Sequence, residues 1–272
     1  MTQYIFDNAQ QQQAAQRFGG LAAQFDGWTI QHLERTGIQE GWHCLEIGGG
    51  GGSIADWLAR RVGPTGYVLT TDIDPRLLEA LSNHGQANLE VRKHDIAADP
   101  LPANAFDLIH ERLVLLHVPQ REQALHNIFS ALKPGGWFIL EEFDAYMVNR
   151  TAVTADPTAA ALYDKMRDAM RLLMLQRGAD NTFARTAHER MLAHGFEEVG
   201  VEGYLNIWMG SAPGKLVDRA NFEQIREEVV RAGFISDQEV EAVLRLLQDP
   251  DFVVTAPLML TAWGRKPSAG GA

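Results

Sequence analysis

The chain has 272 residues, of which 46% are hydrophobic and 22% are charged, a composition that fits one α/β core with an elaboration. Its 24 Lys and Arg residues against 35 Asp and Glu give a formal net charge of −11. Non-specific affinity for nucleic acid comes from cations that neutralise phosphates, so this balance argues against a broad nucleic-acid footprint and favours a small-molecule partner. The single cysteine, Cys44, excludes an internal disulfide and is expected to be a buried small hydrophobe.

The N-terminal residues carry neither a basic segment nor an apolar core, so the sequence predicts no secretory signal. No apolar stretch reaches the roughly 18 residues that a membrane span needs. A cytoplasmic protein with no membrane partner is therefore expected.

Residues 1–40 are rich in Gln and Ala, and their apolar residues recur at helical spacing, which predicts one or two helices packed on the side of the core. Beyond them, short apolar runs alternate with amphipathic segments. The predicted strands are 43–48, 67–72, 89–95, 106–111, 137–143, 198–209 and 258–263. The predicted helices are 54–62, 75–81, 125–132, 157–173, 183–194, 222–229 and 236–247. Strands that alternate with helices at this spacing predict βαβ units and a mostly parallel sheet.

Ligands of such sheets bind beyond the carboxyl ends of the strands, so the residues after each strand are candidates for a binding site. The first strand ends in five glycines, 48–52, before a helix whose free N–H groups suit a polar or anionic ligand group. No Lys completes a P-loop, and Ser53 stands where an NAD fingerprint has its third glycine. The acidic Glu46, inside the first strand, is also foreign to that fingerprint.

Aspartates end the next two strands. A carboxylate at Asp72 can accept hydrogen bonds from both ribose hydroxyls of a nucleoside. A carboxylate at Asp95 can accept from an adenine amino group, with Ile96 packing on the ring. These positions predict an adenosine cofactor without choosing between NAD and S-adenosylmethionine.

Four sequence blocks strongly resemble class I S-adenosylmethionine-dependent methyltransferases and occur in that family's order: LEIGGGGGSIADWLA, TDIDPRLL, KHDIAADPLPANAFDLIHERLVLLHV and LKPGGWFILEE. The resemblance implies a Rossmann-like, doubly wound α/β fold with a seven-stranded sheet, mostly parallel with an antiparallel last strand, plus a helical lid or insertions. It implies an N-terminal helical cap (1–40), a cofactor-binding core (41–145), and a remainder (146–272) whose helical insertions form the acceptor pocket. The chain departs from the commonest pattern at Gly49, where many members have Cys or Ala.

By this resemblance the cofactor is S-adenosylmethionine and its product is S-adenosylhomocysteine. The residues expected to bind it are Glu46, Gly48, Gly49, Gly50, Asp72, Ile73, Asp95, Ile96 and His110. Of these, the three glycines would line the methionine part, Asp72 would hold the ribose, and Ile73 would flank the adenine. Glu46 would orient the glycine loop or reach the amino end of the cofactor.

Methyl transfer is an in-line SN2 displacement from a sulfonium, to which a protein contributes proximity, orientation and a dry pocket. The catalytic candidates after the fourth strand are His117, Glu111 and Arg112. His117 is the first choice for a general base or an acceptor-orienting group, and the alternative is that it caps or packs the next helix. Arg112 would pair with Glu46 or Glu111, or bind an acidic substrate group.

Three acidic residues mark the end of the fifth strand, Glu141, Glu142 and Asp144, but no comparable partners follow the fourth strand, so no metal is predicted. Asp144 is expected either to face the pocket or to cap a loop. Tyr4 and Phe6 are candidates for a lid over the cofactor.

These features predict an enzyme that methylates a small molecule, with oxygen as the first choice of acceptor atom and nitrogen or carbon as alternatives. The motif region resembles enzymes that tailor natural products or quinones. An NAD(P)-dependent oxidoreductase and a non-catalytic cofactor-binding protein are the competing classes. The charge of −11 disfavours an RNA or DNA methyltransferase. The sequence leaves open the acceptor's identity and the oligomeric state, for which a homodimer is one option.

Overall fold

The structure, a computed structural model, describes residues 11–78, 86–146 and 152–268. The chain divides into two compact units. The sheet unit is formed by segments 26–142, 183–203 and 260–272, and the helical unit by segments 1–25, 143–182 and 204–259. The predicted lid residues Tyr4 and Phe6 lie outside the described residues.

The elements of the described residues follow the chain in order. The helices are α1 (Gln11–Arg35), α2 (Ser53–Val62), α3 (Arg121–Ala131), α4 (Pro157–Gln176), α5 (Phe183–Ala193), α6 (Pro213–Arg231) and α7 (Asp237–Gln248). The strands are β1 (His43–Ile47), β2 (Tyr67–Asp72), β3 (Leu89–Lys93), β4 (Phe106–Arg112), β5 (Leu132–Asp144), β6 (Glu197–Tyr204), β7 (Ile207–Trp208), β8 (Val254–Thr255) and β9 (Leu258–Arg265). A 3₁₀ turn, Leu115–His117, follows β4.

Within the described residues, seven strands form one sheet in the order β3-β2-β1-β4-β5-β9-β6. The pairs β1–β2, β1–β4, β2–β3 and β4–β5 are parallel, and one strand of the sheet is antiparallel. The predicted fold class, a Rossmann-like doubly wound sheet, is thereby confirmed. The strand order reverses between β1 and β4, and the ligand crevice of such a sheet lies beyond the carboxyl ends of these strands.

The core of the sheet unit follows from the two periodicities of the sequence. Every third or fourth residue of α2 is apolar, so that Ile54, Leu58 and Val62 lie on one buried face. This face packs in one cluster with Cys44 of β1 and Val68 of β2. Full burial of a side chain such as Leu58 contributes about 1.5–3 kcal/mol. Cys44 is fully buried, as predicted, and burial raises the pKa of its thiol, so it acts as a hydrophobe.

The helical unit is built from α4, α6 and α7, which pack against one another. Pro157 occupies the first turn of α4, and the carboxylate of Asp156 accepts from Thr158 N–H at 2.8 Å. Ser236 and Glu239 form a reciprocal capping box at the start of α7. These helix starts agree with the sequence predictions. No helix of the described residues is long and apolar enough to cross a bilayer.

Several predicted boundaries were wrong, for local reasons. The single strand predicted over 198–209 is two strands, because the Asn206 side chain accepts from Ile207 N–H and β7 then pairs with β8 in a separate sheet. β5 begins at Leu132, before the Lys-Pro-Gly-Gly sequence, because a register shift lets that sequence continue beside β4. β3 ends at Lys93, since the backbone of Asp95 turns to the side chain of Asp99.

The helix predicted from Pro75 to residue 81 is only partly described. Residues 75–78 form a turn, and 79–81 lie outside the described residues. β4 extends one residue beyond the prediction, to Arg112, and α5 ends at Ala193.

Candidate cofactor and catalytic site

The glycine turn after β1 has a backbone that side chains rarely adopt. Gly48, Gly50 and Gly52 have φ angles of 68°, 51° and 79°. A Cβ on Gly48 would lie 2.2 Å from Val114 Cγ2, and a Cβ on Gly49 would lie 2.1 Å from Thr70 Oγ1. Helix α2 starts immediately after this turn, so its first N–H groups face outward beyond β1. The turn therefore brings the backbone and the positive end of a helix dipole to one place.

Asp72, at the end of β2, is tied to this turn. Its Oδ2 accepts from Gly50 N–H at 3.2 Å and its Oδ1 accepts from Asp74 N–H at 3.0 Å. The next residue, Ile73, is 56% exposed, which is unusual for a large apolar side chain. An exposed apolar side chain beside a partly exposed carboxylate suits a nucleoside, with its apolar ring and its ribose hydroxyls.

The third predicted position, after β3, differs from the second in exposure. Asp95 is exposed, and its Oδ1 accepts from Ala97 N–H at 2.9 Å. Ile96 is buried, and Asn127 donates to its carbonyl at 2.8 Å. The structure therefore offers the Asp95 carboxylate at the surface, whereas Ile96 contributes mainly to packing.

A buried histidine links the first, fourth and fifth strands. Successive strand residues point to opposite faces of a sheet, and the register pairs Glu46 with His110. His110 Nδ1 lies 2.6 Å from Glu46 Oε2, and its Nε2 lies 3.4 Å from Glu141 Oε2. Thr29 of α1 and Thr261 of β9 also donate to the Glu141 carboxylate. All of these side chains are buried.

This cluster is arranged around a positive charge. Burial lowers the pKa of His110, but the charge of Glu46 and hydrogen bonds to Glu141 and Glu46 outweigh it and raise the pKa to about 10. Burial raises the pKa of Glu141, but the hydrogen bond and charge of His110 reverse this and hold it below its usual range. His110 is thus an imidazolium between two carboxylates, and both of its ring nitrogens are engaged.

Arg112 pairs with neither of the partners predicted for it. Its guanidinium donates to Asp26 Oδ1 at 2.9 Å and to Thr29 Oγ1 at 2.8 Å, both on α1. No local sequence pattern indicates these contacts, because the paired residues are 86 and 83 positions apart.

Glu111 lies on the opposite face of the sheet from His110 and is fully buried. Its Oε2 accepts from Val114 N–H at 3.0 Å and from Leu115 N–H at 3.4 Å. Its carboxyl group therefore binds the backbone of the turn after β4. These contacts help to shape the turn, and the catalytic role of Glu111 remains a prediction.

His117 ends the 3₁₀ turn after β4 and is half-buried. Its N–H donates to Val114 O at 2.9 Å. Of the predicted catalytic residues, Glu111 is buried, whereas Arg112 and His117 are half-buried. The catalytic role of His117 remains a prediction.

Asp144 ends β5 and takes one of the two roles expected of it, that of a loop cap. Its Oδ1 accepts from Tyr146 N–H at 2.8 Å, which caps the following loop. It also lines a cavity of about 370 Å³ in the helical unit, together with Tyr146, Arg167, Arg171 and Met170. No group of three or more His, Cys, Asp or Glu residues is arranged for a metal ion in the described part of the chain. The absence of a metal remains a prediction.

Sequence comparison identifies the core of the sheet unit. Residues 45–140 match the family model described as a methyltransferase domain. The chain is 30% identical over 156 residues to a ubiquinone/menaquinone biosynthesis C-methyltransferase of Pseudoalteromonas translucida, a match covering 51% of this chain and 62% of that protein. It is 35% identical over 121 residues to the Salmonella arizonae protein of the same name, covering 43% and 48% of the two chains. The matches thus span less than two thirds of these curated relatives.

Solved structures share the fold at lower identity. A Haemonchus contortus phosphoethanolamine N-methyltransferase 2 has a TM-score of 0.57 at 17% identity, covering 89% of this chain and 53% of that one. The YcgJ protein of Bacillus subtilis has a TM-score of 0.59 at 15% identity, with 88% and 97% covered. The [4+2]-cyclase SpnF has a TM-score of 0.56 at 20% identity, with 90% and 82% covered. Residues 45–140 thus match a methyltransferase domain, and the solved structures share the fold of the chain.

Proposed function

We propose that the protein transfers a methyl group from S-adenosylmethionine to a small-molecule acceptor. The observation that carries this proposal is the contact between the two predicted cofactor elements, in which the Asp72 carboxylate accepts from Gly50 N–H within a turn of left-handed glycines. The match of residues 45–140 to a methyltransferase domain supports it.

The residues fit this cofactor in a specific way. The positive φ angles of Gly48 and Gly50 set the path of the turn along which the methionine part would lie. Asp72 would accept from the ribose hydroxyls, the exposed Ile73 would cover one face of the adenine, and Asp95 would accept from its amino group. Bound there, the cofactor supplies an activated methyl group on a sulfonium.

Glu46 and His110 are assigned to the support of this site. Glu46 is buried near the end of β1. Its contact with His110 of β4 holds in position the strand that leads into the glycine turn. Of the two roles predicted for Glu46, this geometry supports the orienting one. The backbone near His110 and Glu111 is proposed to border the methionine part.

Catalysis then depends mainly on holding the acceptor in line. The bond from sulfur to the methyl carbon breaks as the bond from the acceptor to that carbon forms, and the protein contributes orientation and exclusion of water. For an oxygen acceptor, His117 is the proposed base that takes the hydroxyl proton. Glu111 and Arg112 act through the turn and through α1, respectively, since both are engaged in internal contacts.

Two acceptor atoms compete. Oxygen is the acceptor atom predicted from the sequence. Carbon is favoured by the relatives from Pseudoalteromonas and Salmonella, both named as C-methyltransferases of quinone biosynthesis. Incubation with labelled S-adenosylmethionine and ring compounds that offer both a hydroxyl and a neighbouring carbon would distinguish the two, because the products differ in their carbon–methyl or oxygen–methyl linkage.

The cofactor assignment is tested by calorimetric titration with S-adenosylmethionine, S-adenosylhomocysteine and NAD. Asp72→Asn removes the charge but keeps the shape, so it should weaken binding of both sulfur ligands about 10- to 100-fold, the loss of a charge-assisted hydrogen bond. Asp74→Asn is the matched control, because Asp74 is exposed and pairs with Arg76, and it should change the affinity less than about fivefold.

The outcomes are distinct. Binding of NAD in place of both sulfur ligands would overturn the proposal and support an oxidoreductase. Binding of the sulfur ligands without transfer to any acceptor would favour another use of the same fold, which is shared with a [4+2]-cyclase.

A further inference from the structure

Two glutamates lie side by side on the face of the sheet opposite His110. The register pairs Glu111 of β4 with Leu140 of β5, and Glu142 is two residues beyond Leu140, so its side chain lies on the same face as that of Glu111. Both glutamates are fully buried. Their carboxyl groups accept from the neighbouring N–H groups of Leu115 and Leu116, so the two groups lie next to each other.

One oxygen of each carboxyl group binds the backbone of the turn after β4. Glu111 Oε2 accepts from Val114 and Leu115 N–H, and Glu142 Oε1 accepts from Leu116 N–H at 2.8 Å. The other two oxygens, Glu111 Oε1 and Glu142 Oε2, are buried, and no donor in the described residues reaches them.

Two adjacent carboxylates that are both ionised would be energetically unfavourable in this buried position. A buried carboxylate oxygen without a donor loses its hydration and gains nothing in return, and two adjacent negative charges repel. A single proton between the two unmatched oxygens removes both costs, because one carboxylic acid then donates to the other carboxylate in a short, charge-assisted bond.

We propose that Glu111 and Glu142 share one proton and act as a pair of positioning residues that hold the turn 113–117 against the glycine turn. The inference rests on the proposed function for its consequence, since the glycine turn is there the wall of the methionine pocket. Val114 is the contact point, because a Cβ on Gly48 would meet its Cγ2 at 2.2 Å.

The turn needs such a restraint. Leu113 has a φ of 60°, a left-handed conformation that an L side chain adopts only when its surroundings impose it. Three consecutive N–H groups after it, those of residues 114–116, are all bound by the carboxyl pair. The same turn carries His117, so the pair also sets the position of the proposed base.

The surrounding charges agree with one shared proton. Burial raises the pKa of Glu111, and the charge of His110 lowers it only in part. Burial, and then the charge of Glu111, raise the pKa of Glu142. The negative charge of Glu141 also raises the pKa of Glu111. On α3, the guanidinium of Arg121 donates to the carbonyls of residues 115 and 116.

Loss of this proton at alkaline pH leaves two repelling carboxylates under the turn. In the wild type, affinity for a cofactor-site ligand should therefore fall as the pH rises. Glu142→Gln mimics the protonated acid, because its amide can donate to Glu111 while its carbonyl still accepts from Leu116. This variant should bind within about threefold of the wild type at neutral pH and lack the alkaline loss. Glu142→Ala, which leaves the partners unmatched, should bind at least about tenfold more weakly at every pH.

The experiment measures the affinity of the full chain for 5′-methylthioadenosine against pH by calorimetry, since this ligand has no amino acid part that titrates. Glu189→Gln, the same change at an exposed site on α5, is the control. Infrared spectra provide a second readout that needs no ligand: the wild type and Glu189→Gln should show the carbonyl stretch of a buried carboxylic acid, and Glu142→Gln should lose it.

An alkaline loss of affinity that persists unchanged in Glu142→Gln would overturn the inference, as would the absence of a carboxylic-acid band in the wild type at neutral pH. The titration of His110 is common to all of these variants, so the difference between them isolates the pair. If no variant binds the nucleoside or S-adenosylmethionine, the proposed function fails, and the infrared band alone then decides whether the proton is shared.

Discussion

On one face of the sheet, a single histidine supplies the positive charge that lies between two buried glutamates. His110 is fully buried between Glu46 and Glu141, and its pKa is raised to about 10 from an ordinary 6.5. The folded protein therefore holds a proton on His110 that the unfolded chain releases between these two values. It follows that the free energy of unfolding contributed by His110 is fully present below pH 6.5 and is lost as the pH rises toward about 10.

Replacing this residue should be costly. His110→Asn leaves two buried glutamates without their cation, which should lower the free energy of unfolding by about 3–5 kcal/mol near neutral pH. The variant should also show a smaller loss of stability between neutral and alkaline pH than the wild type. Urea unfolding followed by Trp fluorescence over a pH series would measure both effects.

His126→Asn, at an exposed site on α3, is the matched control and should leave both quantities nearly unchanged. Equal pH profiles for the wild type and His110→Asn would contradict a charged His110. They would mean that Glu46 or Glu141 holds the proton instead.

At the scale of elements, α1 offers two adjacent glycines in opposite surroundings. A Cβ on Gly19 would have nothing within 4 Å, whereas a Cβ on Gly20 would lie 2.5 Å from Val217 Cγ2 and 3.2 Å from Pro213 O. Both sit in the same helix, so the gain in helix propensity from Ala is equal for the two. Gly19→Ala should raise the free energy of unfolding by about 0.5–1 kcal/mol. Gly20→Ala should lower it by about 1–3 kcal/mol, because the helices must separate.

Thermal and denaturant unfolding of the two variants measures this difference directly. Equal stabilisation by both substitutions would show that α1 does not pack closely against α6 at Gly20. Equal destabilisation would show instead that α1 needs its glycines for another reason, such as a bend.

The elements also differ in how well the sequence could predict them. The spacing of apolar residues differs between strands and helices, and it predicted most elements of the sheet unit because each pattern lies within a few neighbouring residues. The cofactor-binding candidates at Gly48, Asp72 and Asp95 were likewise found from their place after strands. The bonds of Glu141 to Thr29 and Thr261 join residues 112 and 120 positions apart, and no local pattern encodes them.

The sequence nevertheless contained one indication of the polar cluster around His110. Strands of a parallel sheet are buried on both faces, so every charged residue within them needs a partner. Glu46, His110 and Glu141 fall near the carboxyl ends of three such strands. Their polar character inside buried strands could have indicated that they need partners, and the register of the strands brings both glutamates to His110. The division into 1–40, 41–145 and 146–272 and the homodimer remain predictions.

For the whole molecule, the net charge of −11 predicts that the protein does not bind nucleic acid. Many of the cations in the described residues are already committed within the protein: Arg112 to Asp26, Arg226 to Asp237, and Lys133 to Asp107. Few cations are left for phosphates, and the long-range field of the chain repels a polyanion. We therefore expect no binding to duplex DNA or RNA at low salt, where such binding is strongest.

Fluorescence anisotropy of labelled duplexes, titrated with the protein at low ionic strength, tests this prediction. A basic DNA-binding protein serves as the positive control for the labelled duplexes. Binding that weakens steeply with added salt would reveal a local basic surface that overrides the net charge, because each released counterion adds to the slope. Such a result would move the proposed acceptor from a small molecule to a nucleic acid while leaving the proposed cofactor site unchanged, since Asp72 and the glycine turn are proposed to contact the methyl donor in either case.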